Sequence, residues 1–331
     1  MTDFDKLFAG FKNIKAAVVG DVMLDTYWWG HVERISPEAP VPVVNIENRE
    51  YRIGGAGNVA LNLRSLEAQV TVFSLTGNDE DGNILKSLLD QNSIHTDYLL
   101  KNGNRITTNK TRIFGRKQQM MRLDSETIRD ISASDENEII EAVGRYIEEE
   151  KPSVMIFEDY NKGVLTEKVI IELIGLCKKH EVFTAVDPKT KNFFSYGGVD
   201  LFKPNLKEVR EALNLPVLQL DLASLGEIHT RLARQLHHQI SFITLSEKGV
   251  YCQDERYAKI IPSYLRSVAD VSGAGDTVIA VAALIYSVTK DVKLMAEVAN
   301  IAGGLVCESV GTVPIERDRL LQECKLLLNG N

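Results

Sequence analysis

Apolar, β-branched runs recur along the chain, and most are followed by an amphipathic stretch of helical length. Ala16 to Val19, Val70 to Leu75, Val154 to Phe157, Val182 to Val186 and Phe242 to Leu245 lack polar alternation, which predicts strands buried on both faces. Between them, Asn58 to Glu67, Ile84 to Asn92, Asp135 to Glu149, Thr166 to Lys179, Leu206 to Leu213, Leu222 to His237 and Gly275 to Ser287 predict helices, several opened by Asp, Ser or Thr. Strand alternating with helix calls for a mainly parallel sheet with right-handed crossovers.

Two stretches break this rhythm. Thr26 to Ile53 holds Trp28, Trp29, Pro37, Pro40, Pro42 and the alternating run Val41 to Ile46, and proline there predicts edge strands. Arg105 to Asp124 carries two β-like runs around Gly115, the pattern of a hairpin. Residues 26–53 and 105–124 together predict a small β lid on an α/β body. With no internal repeat, low-complexity segment or linker, residues 1–331 read as a single domain.

Composition narrows the classes. A chain of 331 residues can bury roughly three quarters of its extended surface. Its 44% hydrophobic and 25% charged residues exclude disorder, collagen and coiled coil as the main class. With 38 Lys and Arg against 46 Asp and Glu the net charge is −8, which argues against a nucleic-acid partner. The most apolar stretch, Val278 to Val288, is about half of the roughly 20 residues a membrane span needs, so no membrane partner is expected. Asp3, Asp5 and Lys6 do not fit a secretory signal. Cys177, Cys252, Cys307 and Cys324 lie far apart, and a cytoplasmic, reducing setting is the default expectation.

Chemistry concentrates in two glycine clusters. In the run Asp270 to Thr277, Gly273, Ala274 and Gly275 precede a strongly apolar helix, whose free N–H groups suit the charge of a transferring phosphoryl group. Asp276, in the first turn, is placed to accept a proton from an attacking hydroxyl. A glycine-permitted helix start with an acid favoured by the dipole explains the same run. The second cluster, Gly54-Gly55-Ala56-Gly57-Asn58-Val59-Ala60, also opens a helix. Gly55, Gly57 and Ala60 satisfy a dinucleotide fingerprint with Asp79 downstream, but the polar segment Asn48 to Arg52 stands where a buried first strand belongs. The Asn58 amide has no task in a pyrophosphate turn and could hold sugar hydroxyls. No G-x-x-x-x-G-K-[ST] run exists, which excludes a P-loop.

In this order, the two clusters resemble the signatures of the ribokinase, or pfkB-type, carbohydrate kinase family, and the resemblance covers essentially the whole chain. The strings Gly20 to Asp25, Arg34 to Val44, Gln118-Gln119 through Arg122-Leu123-Asp124, and Asp187-Pro188-Lys189 look like the heptose 7-phosphate kinases of that family. The resemblance implies a ribokinase-like three-layer α/β/α fold with a β lid, and ATP-dependent phosphorylation of the anomeric hydroxyl of a sugar phosphate with Mg²⁺. It leaves a monovalent cation requirement open. No H-x-G-H nucleotidyltransferase motif is present, so adenylyl transfer, the other activity of bifunctional forms, is expected from a separate protein.

The resemblance also implies roles. Asn205-Leu206-Lys207-Glu208 is similar to the family's N-x-x-E motif near the nucleotide phosphates, with Glu208 reaching magnesium directly or through a water; a helix-capping box explains the pair equally. Thr244, Ser246 and Gly249 resemble the nucleotide loop, against a plain hairpin turn. On the sugar side stand Asp21, at a strand end, with Gly54, Gly55 and Asn58, and Asp25 as sugar ligand or surface cap. Arg112, Arg116, Lys117 and Arg122 in the lid, with Lys162 and Lys189 as competitors, are candidates for the substrate phosphate. Trp28 and Trp29 suit a sugar pocket or a homodimer interface through the lid. A non-catalytic sugar or nucleotide sensor on the same fold is the alternative, disfavoured by an intact Asp276.

Overall fold

The structure, a computed structural model, describes residues 2–116, 118–215, 220–264 and 266–329. Helix α1 (Phe4–Gly10) leads into β1 (Lys15–Gly20), and one residue later the chain enters the long hairpin of β2 (Val22–Ile35) and β3 (Pro42–Gly55). It returns through α2 (Ala56–Ser65), β4 (Gln69–Gly77), α3 (Glu80–Gln91) and β5 (His95–Asn102), then leaves again as β6 (Asn109–Gly115) and β7 (Gln118–Ser125). Next come α4 (Ala133–Glu150), β8 (Val154–Glu158), α5 (Glu167–Lys179), β9 (Phe183–Asp187), β10 (Leu201–Phe202), α6 (Leu206–Ala212) and α7 (Leu222–Leu236). The chain closes with β11 (Ile240–Thr244), β12 (Val250–Gln253), β13 (Ala258–Ile261), α8 (Ala274–Thr289), α9 (Val292–Val306) and α10 (Arg317–Asn329).

Nine strands form one sheet in the order β13-β12-β11-β10-β9-β8-β1-β4-β5, parallel from β11 to β5 with β12 and β13 antiparallel. Strand β1 shows why these runs are apolar throughout. Ala16 and Val18 join a core with α1, α2, α3, α8, α9 and α10, while Ala17 and Val19 join a second core with α4, α5, α6 and α7. Each sheet face is therefore covered, and no position is left for alternation. Among the described residues no helix is long and apolar enough to cross a membrane.

The other four strands form the lid, in the order β3-β2-β6-β7. Proline is where the pattern requires it: Pro37 and Pro40 lie in the turn before β3, and Pro42 opens that edge strand. The lid begins earlier than its sequence pattern, at Val22 rather than Thr26, because β2 continues from β1 with only Asp21 between them. Lys117, at the β6–β7 turn, lies outside the described residues. Trp29 is half-buried with its ring stacked on Phe114, the centroids 4.3 Å apart, and Trp28 lies under the Arg49 guanidinium at 4.9 Å.

Several elements escape the hydrophobic pattern, among them α9, β5 and β10. Helix α9 carries only a narrow polar stripe, Lys293 and Glu297, on an otherwise buried helix that contains Gly303 and Gly304. Strand β5 is a sheet edge and alternates, and β10 is only two residues long.

Lid and helices are pinned by polar ties. Arg52 of β3 donates to the carbonyl of Val310 at 2.8 Å, and the Thr312 hydroxyl donates to Asp25 of β2 at 3.0 Å. Deeper, the buried Asn62 side chain accepts from Thr277 Oγ1 at 3.0 Å and from the Ile315 N–H at 2.9 Å, joining α2, α8 and the segment before α10. Asn62→Ala strands the Ile315 N–H, at about 1–3 kcal/mol for an unsatisfied buried group, and leaves Thr277 Oγ1 with only its longer bond to the Gly273 carbonyl. Chemical denaturation is expected to show a loss of about 2 kcal/mol or more, and a loss below about 0.5 kcal/mol would remove this tie from the fold's supports.

Candidate active site

Helix α8 begins at the carboxyl ends of the central strands. Its N-cap Gly273 has φ 78°, and a Cβ there would meet Asn58 Nδ2 at 2.8 Å, so both conformation and space demand glycine. The N–H groups of Gly275 and Asp276 have no acceptor within the helix. Of the three anion-hole residues expected from sequence, Ala274 instead turns its N–H to the Val271 carbonyl at 3.3 Å.

Asp276 is buried and holds two neutral donors: Asn58 Nδ2 reaches Oδ2 at 2.8 Å, and the Tyr160 hydroxyl reaches Oδ1 at 2.7 Å. Burial pushes its carboxyl up to about 6, with Asp187 adding to the rise, while Asn58, Tyr160 and Lys189 pull it back. The Asn58 amide, expected on sugar hydroxyls, is committed to this carboxylate, because α2 presents it from the opposite side of the α8 N-terminus.

Beside Asp276 lie the last residues of β8 and β9, Glu158 and Asp187, paired in register. Carboxylate oxygens of Glu158, Asp187 and Asp276 lie within 4.8 Å of one another. Asp187 is paired with Lys203 at 2.7 Å and Lys189 at 3.6 Å; burial raises its carboxyl, but the two lysines outweigh burial and hold it low. Glu158 has neither oxygen hydrogen-bonded, and burial together with Asp187 and Asp276 raises its carboxyl pKa well above the usual value. Oxygen donors of this kind fit a hard divalent cation.

Asn205 and Glu208 form a reciprocal capping box on α6, with 2.9 and 2.8 Å bonds. The other Glu208 oxygen accepts from Lys189 at 2.9 Å, so both oxygens are engaged and direct metal ligation requires breaking one of these bonds. Lys189, a candidate for the substrate phosphate, thus stands among the acids. Leu206 packs on the second core, and the Lys207 side chain is 84% exposed on the outer face of α6, 3.8 Å from Glu211, so neither joins the site. Thr244 bridges to Asn205, and Ser246 and Gly249, at φ 56° and 92°, belong to the turn that closes the β11–β12 hairpin.

On the lid side the sequence expectations change most. The buried Asp21 carboxylate accepts three backbone N–H groups, from Tyr160 at 2.9 Å, Lys162 at 3.0 Å and Val164 at 3.1 Å. Burial still leaves it raised, but these bonds commit it to the 160–164 loop rather than to hydroxyls of a ligand. Gly54 and Gly55 end β3, where a Cβ would come 2.5 Å from Asp25 Oδ2 and 2.3 Å from the Asp21 carbonyl. Their absent side chains therefore admit those two acids. Asp25 holds Arg112 at 2.7 Å, and the exposed Arg122 folds onto Asp124 of its own strand at 2.9 Å. Arg116 is exposed at the hairpin turn, and Lys162 pairs with Glu126 at 2.8 Å.

Sequence reasoning passed over Tyr160, Glu158, Lys203 and Lys110. Glu158 and Tyr160 directly follow a buried strand, and that position was the available signal. Lys203 and Lys110 carried none, since their surroundings come from distant elements.

Residues 13–318 match the pfkB family carbohydrate kinase. The chain is 40% identical over 305 residues to the "Bifunctional protein HldE" of Aliarcobacter butzleri, covering 92% of this chain and 63% of that protein. It is 38% identical over 298 residues to the protein of the same name from Sulfurimonas denitrificans, covering 90% and 61%. It thus spans somewhat over three fifths of the length of these relatives. Among solved structures, phosphofructokinase-2 from Escherichia coli in complex with potassium superposes with TM-score 0.79 at 17% identity, covering 96% of this chain and 99% of that one. Arabidopsis thaliana ribokinase complexed with ribose and ATP gives 0.73 at 17%, covering 93% and 99%. These likenesses establish the ribokinase-like fold expected from the sequence. Since the family match runs across both glycine clusters and every buried acid between them, the chain belongs to the pfkB family of carbohydrate kinases, phosphotransferases that act on a sugar hydroxyl.

Proposed function

We propose that this chain transfers the γ-phosphoryl group of ATP to the anomeric hydroxyl of D-glycero-β-D-manno-heptose 7-phosphate, giving the 1,7-bisphosphate, a precursor of the ADP-heptose used for lipopolysaccharide. The observation that carries the reading is Asp276, a buried carboxylate held by neutral donors at a helix N-terminus. Proton transfer suits a base whose pKa lies near working pH, and about 6 meets that condition. The incoming hydroxyl takes the place of one neutral donor, and Asp276 accepts its proton as the oxygen attacks the γ-phosphorus. The Gly275 and Asp276 N–H groups face the charge on the transferring group, and Lys189 and Lys203 balance the acids around it. Magnesium would be held by Glu158 and Asp187, with Glu208 contributing through a water; when bound, it neutralises phosphate oxygens. The dinucleotide alternative is disfavoured, because its glycines start at the end of a lid strand rather than between a sheet strand and its helix.

The exposed apolar side chains Ile35, Val41 and Ile46 on one side of the lid and Met120, Met121 and Leu123 on the other support a homodimer through its open edges. Trp29 is already used within the lid, so these residues replace the tryptophans as the interface.

ATP consumption against heptose 7-phosphate, fructose 6-phosphate, ribose and adenosine is expected to be fastest with the heptose phosphate, and a clear preference for another acceptor would overturn the substrate. Asp276→Asn should cut turnover by roughly 10² to 10⁴ with nucleotide binding kept; more than half the activity remaining would remove Asp276 as the base.

Below about pH 6 Asp276 is protonated and cannot accept a proton, so kcat/KM should fall on the acid side around that pH. Tyr160→Phe removes a bond that favours the carboxylate, so this limb should move to higher pH. Asp159 is also pushed to about 6, but it is bonded by Tyr196 and the Asn161 N–H, so a limb that stays in place in Tyr160→Phe assigns the titration elsewhere.

Light scattering should give twice the 36.9 kDa chain mass, reduced towards the monomer in Met121→Glu. A fully active monomer would exclude the shared lid.

A further inference from the structure

The cations around the cleft between lid and sheet are almost all matched. Arg112 is paired with Asp25, Lys162 with Glu126, Lys189 with Glu208, Lys203 with Asp187 and Arg52 with Glu50, each at 2.7 to 2.9 Å. Lys110 is different. It is half-buried on β6, opposite Asp25 of β2 and Asp124 of β7 in strand register. Among the described residues its ammonium has no carboxylate within the 4.0 Å of an ion pair and no hydrogen-bond acceptor. It rests instead against the Tyr160 ring, 5.1 Å from the centroid.

We propose that Lys110 is a specificity-determining residue that receives the phosphate monoester already carried by the sugar substrate, at the end remote from the hydroxyl that Asp276 activates. The inference deepens the reading above and rests on it. Its first support is distance: Lys110 Nζ lies against the Tyr160 ring, whose hydroxyl donates to Asp276 at 2.7 Å. Ammonium and base thus contact the same tyrosine side chain, one at its ring and the other at its hydroxyl, which sets them along one wall of the cleft. The second support is charge. A half-buried ammonium with no direct ion pair has lost part of its hydration for a ring contact and two more distant acids, and a phosphate dianion supplies the missing contact partner. Burial lowers the Lys110 pKa, and the nearby Asp25 and Asp124, neither within ion-pair distance, do not make up for the lost hydration. Arg122, the phosphate ligand that the lid sequence suggests, is 52% exposed and already satisfied by Asp124.

The test uses the full chain and two acceptors, heptose 7-phosphate and the same heptose without its phosphate. The wild type should prefer the phosphorylated sugar. Lys110→Met, which keeps the stem, should lower kcat/KM for heptose 7-phosphate about 10- to 100-fold through KM, with the KM for ATP within about two-fold of wild type. The preference over the unphosphorylated sugar should collapse, while Lys110→Arg retains most of it. Inorganic phosphate should compete with the sugar phosphate in the wild type and much more weakly in Lys110→Met. A Lys110→Met protein that keeps the wild-type preference, or that loses both acceptors equally while melting at the wild-type temperature, overturns the role of Lys110 and leaves the substrate reading standing. A wild type that prefers the unphosphorylated sugar overturns the substrate reading itself, and this assignment with it.

Discussion

Of the acids buried where the parallel strands end, four, Asp21, Glu158, Asp187 and Asp276, surround the α8 N-terminus, and among the described residues ion pairs to these four form only with Lys189 and Lys203, both at Asp187. Burying uncompensated carboxylates costs several kcal/mol each, so the site is organised by how each charge is settled. Asp21 is satisfied by backbone N–H groups and Asp187 by lysines, while Glu158 has no hydrogen-bond partner and its pKa is driven up by burial and its acidic neighbours. Asp276 alone of the four is held by neutral side-chain donors, which support the charged form without fixing it. A lysine in the place of Asn58 or Tyr160 would drive its pKa down and make it a poorer base.

The same strand ends connect this acid group to the lid. Strand β2 leaves the sheet at Asp21 and passes Asp25 three residues after its start, while Arg52 and Thr312 fasten the lid to the segment between α9 and α10. The lid therefore brings Arg112 and Lys110 over the acids as parts of one sheet, not as independent loops. Acid chemistry belongs to the body and the surplus positive charge to the lid.

Much of this was legible before any coordinates. The five buried strands and the helix opened by Gly273 could be read because a strand covered on both faces leaves a continuous apolar run, and because glycine before an apolar helix has few other uses. Helix α9 was not read, since only Lys293 and Glu297 interrupt its apolar run and Gly303-Gly304 break its helical propensity. At the site, Asp276 was readable from its position in a helix turn. Asn58 was identified, but its bond to Asp276 could not be read, because the two lie more than two hundred residues apart. Which of the lid's basic residues are already paired is set by cross-strand register, and single-sequence pattern carries no register between β2 and β6.

Asp21 holds the 160–164 loop through main-chain N–H groups at three positions. The anchor itself asks nothing of those side chains beyond the absence of proline. Two positions are still fixed: Gly163 stands at φ 90° with its Cβ site against the Arg129 carbonyl, and Val164 is buried in the second core. Residues 160–162 remain open to exchange while the loop keeps its course, and because Tyr160 carries the hydroxyl that holds Asp276, a change of chemistry there reaches the base before it reaches the fold.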